Sequence, residues 1–104
     1  MWRVYTEFGT LLIRIEDSHL LKLQAAYKRP DKLSPESALV FANKWNIDQR
    51  FTKLAIHSTH DFDMVLEYDA DLHHVRPGAV DGIVEMFHAS MMSLQLQLYN
   101  ELTD

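Results

Sequence analysis

Asp69, Asp71 and His73 alternate along one short segment, with His74 beside them. On a strand, residues two apart project from the same face, so these side chains could offer oxygen and nitrogen ligands to a divalent metal. The pattern equally describes a solvated acidic edge, and metal sites usually collect ligands from several elements with supporting hydrogen bonds behind them. No metal or other cofactor is therefore assigned, and Asp69, Asp71, His73 and His74 stand as the alternative: a metal-binding or small-ligand-binding protein, or a small enzyme. His57 and His60 flank the turn at the other end of the same expected hairpin, too far away to complete such a site. Six histidines in all would allow a response between about pH 5 and 8 if one of them had a buried partner.

Other chemistries are excluded more firmly. No cysteine is present, which removes thiolate nucleophiles, disulfides and Cys-based metal sites. Serine, histidine and aspartate occur, but no G-x-S-x-G elbow presents a serine nucleophile. Gly9, Gly78 and Gly82 are the only glycines, so neither the phosphate-binding loop nor the dinucleotide turn can be written. Lys28, Arg29 and Lys32 precede a helix start at Ser34 that could hold an anion, yet Asp31 and Glu36 dilute that field. The expectation is a protein that is not an enzyme.

The elements that must position these residues follow from periodicity. Trp2, Val4, Thr6 and Phe8 alternate with Arg3, Tyr5 and Glu7, which predicts a half-buried strand over residues 2–8. A turn at Gly9-Thr10 leads to a second strand carrying Leu11, Ile13 and Ile15, and Asp17-Ser18 breaks to a third carrying Leu21, Leu23, Ala25 and Tyr27. Pro30 ends this meander. Ser34 as N-cap, Pro35 in the first position and Glu36 in the first turn then open a helix, whose buried stripe is Ala38, Phe41, Ala42 and Trp45. Asn46 is its expected C-cap, with Asn43 tying the helix to a neighbouring strand. Residues 50–57 are expected to form a strand in which either Thr52/Leu54/Ile56 or Phe51/Lys53/Ala55 could face inward, with Leu54 and Ile56 favoured for the core. After a polar turn, Phe62, Met64, Leu66 and Tyr68 alternate with an acidic face toward water.

Beyond His73-His74-Val75-Arg76-Pro77-Gly78 the period becomes helical, with Pro77 near the start and Val80, Ile83, Phe87, Met91, Leu94 and Leu98 in one stripe. A second apolar row, Met92, Leu96 and Tyr99, flanks the first. One core-facing stripe does not account for both, so the surplus row predicts a partner or dimer interface. Met86, Met91 and Met92 add adaptable packing surface. The order βββαββα implies an α+β domain: a mainly antiparallel five-stranded sheet covered by two helices, occupying residues 1–104 as one unit.

This pattern resembles the YbjN family, described as bacterial sensory transduction regulators, with a fold similar to that of type III secretion chaperones. The residues carrying the resemblance are Asn43, Trp45 and Asn46 at the helix end, Arg50 and Phe51 just after it, and the strand from Leu66 to Asp69. The likeness follows the order of elements over the whole chain and is sharpest from Ser34 to Asp71. A helix that often precedes the first strand in the family has no counterpart before Trp2, and the glycine-containing turn before the last helix is replaced here by residues 73–78. The resemblance carries over no catalytic residues. It implies a chaperone-like adaptor acting through protein–protein contacts, with Trp45 and its asparagines more structural than recognitive.

With 104 residues, 47% of them hydrophobic, the chain is long enough for one buried core. A net charge of -5 lacks the basic footprint of a nucleic-acid binder, and no apolar run approaches the roughly 20 residues that span a bilayer. These features lead us to expect a soluble cytoplasmic protein, working as a homodimer or with a protein partner, and away from nucleic acid and membrane.

Overall fold

A computed structural model describes residues 1–57, 63–76 and 78–103. Five strands, β1 (Trp2–Thr6), β2 (Gly9–Glu16), β3 (Leu20–Tyr27), β4 (Lys53–Ile56) and β5 (Met64–Asp71), form one sheet in the order β1-β2-β3-β5-β4. Every neighbouring pair is antiparallel. Helix α1 (Pro35–Asp48) connects β3 to β4, and a 3-10 turn (Leu72–His74) leads from β5 to α2 (Ala79–Thr103). This is the α+β, five-stranded antiparallel architecture with two helices that the hydrophobic periods imply.

The first hairpin turns earlier than its glycine suggests. Glu7 and Phe8 make the turn and Gly9 already pairs with Thr6, while the Thr6 hydroxyl accepts from the Phe8 N–H at 3.1 Å. In the second hairpin, Asp17 and Ser18 both adopt positive φ, 53° and 66°. Such a turn matches the right-handed twist of the flanking strands, and Asp is among the residues that tolerate it.

Register decides which side chains meet the helices. Directly paired residues lie on the same face, so Val4, Leu11, Ala25, Leu66 and Leu54 form one row across all five strands on the helical side. Leu11, Ala25, Leu66 and Leu54 are buried, whereas Val4 at the β1 end remains 41% exposed. From above, Phe87, Met91, Leu94 and Leu98 of α2 and Ala38, Phe41, Ala42 and Trp45 of α1 close the core. Fully burying a residue of the Leu or Phe class contributes about 1.5–3 kcal/mol. The core is therefore centred on β3 and β5, beneath the helices.

Helix α1 starts as its residues dictate: the Ser34 hydroxyl accepts from the Ser37 N–H, with Pro35 in the first turn. Its end differs from expectation. The helix runs on to Asp48 with Gln49 as C-cap, and Asn46 does not cap it. The Asn46 amide instead accepts from the Leu54 N–H at 2.7 Å and donates to the Leu54 carbonyl at 3.0 Å. That pair of bonds satisfies the backbone of edge strand β4 much as another strand would, so it is Asn46, and not Asn43, that ties helix to sheet. Strand β4 is correspondingly shorter than residues 50–57. His60 and Phe62 of the adjoining turn and Pro77 before α2 lie outside the described residues.

Replacing Asn46 by Ala leaves a strand N–H and carbonyl without their partners, which is expected to lower unfolding stability by about 1–3 kcal/mol. Replacing exposed Asn43 by Ala should change it by less than about 0.5 kcal/mol. Urea denaturation of the two variants checks the difference.

Candidate functional site

The chemistry-bearing cluster sits at one end of the sheet. Asp69 and Asp71 share the outer face of β5, opposite Lys22 and Leu20 of β3. Asp71 accepts from the His73 N–H at 2.9 Å, and its carboxylate lies 3.6 Å from His73 Nδ1 and 3.8 Å from His74 Nε2. The His73 hydrogen bond is the main influence holding the Asp71 carboxyl below its ordinary pKa, with the fields of His73, His74 and His19 adding to it.

The sequence reading missed one member of this group. His19, from the β2–β3 turn, stacks on His73 with ring centroids 4.9 Å apart and planes 11° from parallel. The Leu72 N–H donates to the His19 carbonyl, which clamps that turn to the end of β5. Pairing of β3 with β5 creates this neighbourhood, so no local spacing could have announced it. Among the described residues, no three His, Asp or Glu side chains converge as a metal cage. His57 stands at the other end of β5, its N–H donating to the Asp63 carbonyl.

The basic cluster before α1 is also engaged. Arg29 donates to the Asp63 carboxylate through its backbone N–H at 2.7 Å and its Nε at 3.2 Å, and to the Leu33 carbonyl. Trp45 is buried, with its indole N–H unpaired, beside a cleft of about 240 Å³ between α1 and α2 lined also by Phe41, Lys44, Gln97 and Asn100. Phe51 stacks on Tyr68 at 4.3 Å, and Arg50 and Asn43 are exposed. The aromatic members of the Asn43/Trp45/Asn46/Arg50/Phe51 motif thus contribute to packing.

Part of what the sheet and helices leave uncovered is apolar. Met92, Leu96 and Tyr99 are 42%, 58% and 66% exposed along one flank of α2. That flank is the side on which His88 meets Phe8 of the β1–β2 turn, with rings 5.5 Å apart. On the sheet's helical side, Trp2 and Val4 of β1 and Ile15 of β2 are likewise exposed. Helix α1 adds Leu39, Val40 and Ile47, an outward apolar row absent from the sequence expectations. Its signal lay in plain view: α1 carries apolar residues on both faces, so its buried stripe does not exhaust them.

No family model and no curated protein matches the chain. Among solved structures, one chain of the HopA1–SchA chaperone–effector complex superposes with a TM-score of 0.52 at 8% identity, covering 89% of this chain and 80% of that one. The fold is secretion-chaperone-like. At that identity the likeness concerns architecture alone. Among the described residues, no helix is long and apolar enough to cross a membrane.

Among the described residues, Tyr27 is the titratable side chain pushed far from its ordinary range. Its ring packs against Gly9, where a Cβ would come within 3.0 Å of Tyr27 Cε1 and where φ is +123°. Burial of the phenol, whose hydroxyl has no hydrogen bond of normal geometry, raises its pKa to about 12, only partly offset by the nearby Gln95 amide. Folding thus favours the protonated form, and this contribution is intact below pH 10 and lost as pH rises from 10 toward 12. Ultraviolet titration should find one tyrosine ionising near pH 12, and in Tyr27→Phe that transition should vanish while the alkaline decline in stability becomes shallower.

Proposed function

We propose that this protein is a non-enzymatic protein-binding module, a chaperone-like adaptor of the bacterial sensory-regulator type that works in the cytoplasm. It takes a segment of another protein chain against the Met92/Leu96/Tyr99 flank of α2. The observation that carries this reading is the exposure of that row on a helix whose opposite side already fills the core. Exposed apolar rows of this kind mark interaction surfaces, and methionine suits them because it repacks easily. The HopA1–SchA chaperone–effector complex supports the reading by fold. The helix-end residues Asn43, Trp45 and Asn46 support membership of the YbjN family.

Clusters competing for a functional role are occupied internally: Asp71 by His73 and His74, and Arg29 by Asp63 and Leu33. A hydrophobic segment, helical or extended, matches the α2 flank better than a charged ligand does.

A photo-crosslinking amino acid at position 96 should capture a discrete protein in the native cell, and one at exposed Lys44 should not. Tyr99→Glu should reduce the adduct by about tenfold or more, since central aromatic contacts at interfaces commonly contribute over 1 kcal/mol, and should leave the fold intact because the side chain is exposed. Equal capture from both positions, undiminished by Tyr99→Glu, would contradict the assignment.

A further inference from the structure

The cleft of about 240 Å³ between the helices has two facing walls, Phe41, Lys44 and Trp45 of α1 and Gln97, Asn100 and Glu101 of α2. Each set is spaced i, i+3, i+4, so its members share one side of their helix. The walls offer opposite chemistry. On α1, the Lys44 ammonium and the Trp45 indole N–H are donors that cannot accept. On α2, the Gln97 side-chain nitrogen is already used, donating to Ser93 Oγ at 3.2 Å, which leaves the Gln97 carbonyl oxygen one turn from the Glu101 carboxylate as a second acceptor.

These groups are not engaged with one another. Lys44 and Glu101 line the same cleft, yet neither takes part in an ion pair among the described residues. Trp45 is 1% exposed, and its indole N–H has no acceptor. A buried donor without a partner is uncommon in folded proteins and destabilising where it occurs, so an acceptor brought to it stabilises the bound state. We infer that this cleft binds a free α-amino acid, its carboxylate held by Lys44 and the Trp45 N–H and its ammonium by Glu101 and the Gln97 carbonyl oxygen.

Size and charge select that class. The volume falls below the roughly 300–1,000 Å³ of clefts that take drug-sized molecules. An internal peptide segment carries neither terminal charge, and a chain terminus carries one, leaving Lys44 or Glu101 unanswered. A simple anion or cation also answers one wall only. A zwitterion answers both, and Phe41 gives its side chain an aromatic surface to pack on. The site is separate from the proposed partner surface, because Leu96 lies roughly 100° and 140° around α2 from Gln97 and Glu101.

Trp2 is the chain's other tryptophan and is exposed, so Trp2→Phe makes Trp45 emission a reporter of the cleft. The standard free L-amino acids are titrated into this variant by fluorescence and into the unaltered chain by calorimetry. At least one should bind at millimolar concentration or below with a change in Trp45 emission. Its N-acetyl and carboxamide forms, each lacking one charge, should bind at least about tenfold more weakly. Lys44→Ala should weaken the free amino acid by about tenfold but hardly affect the carboxamide, and Glu101→Ala should do the same with the N-acetyl form spared. Both side chains are exposed, so neither substitution should disturb folding. Failure of every free amino acid to bind, or binding indifferent to the blocked termini or to both substitutions, would overturn the inference. None of these outcomes bears on partner capture at position 96.

Discussion

Coverage of the sheet is the constraint on which the rest depends. Neighbouring strands stand about 4.8 Å apart and a helix with its side chains is about 10 Å wide, so two helices shelter roughly four strands of a five-stranded sheet. The cross-strand row shows the consequence: Leu54, Leu66, Ala25 and Leu11 are sealed, and Val4 is not. The apolar helical-side residues of β1 thus lie beyond the edge of the helical layer. With them goes one flank of α2, because a helix seated at the margin of its layer has a neighbouring helix on one side only. The exposure of Trp2, Val4, Met92, Leu96 and Tyr99 therefore has one geometric origin.

Much of this was legible in the sequence because it is written in local periods. Alternation identified the strands, Ser34-Pro35-Glu36 fixed the start of α1, and the double apolar row singled out α2. The central packing residues Leu23, Leu66, Phe87 and Met91 follow from the same periods and are fully buried. Errors arose where local chemistry offered two equivalent uses for one residue. Asn46 is suited to ending a helix, but its amide serves β4, and helical geometry continues for another half turn. Gly9 suggested a turn, but its role is to admit the Tyr27 ring at the start of β2.

The candidate site was less legible, since its features arise from long-range pairing. The His19–His73 stack exists because β5 inserts between β3 and β4, bringing the β2–β3 turn beside the end of β5. The exposure of β1 depends on which strands the helices cover, which periodicity cannot express. A half-buried strand and a strand bare on both faces have the same alternation. The outward row of α1, Leu39, Val40 and Ile47, was readable but was overshadowed by the stronger stripe on its other face.

The central claim is that α2 buries one face and leaves its flank bare, and adjacent methionines report on this most directly. Met91 and Met64 are fully buried, while Met92 and Met86 are exposed. Oxidation of the purified protein with dilute peroxide, followed by peptide mass spectrometry, should modify Met92 and Met86 well before Met91 and Met64. Equal protection of Met91 and Met92 in the isolated chain would mean that the flank is covered by the protein itself, and the proposed binding surface would not exist.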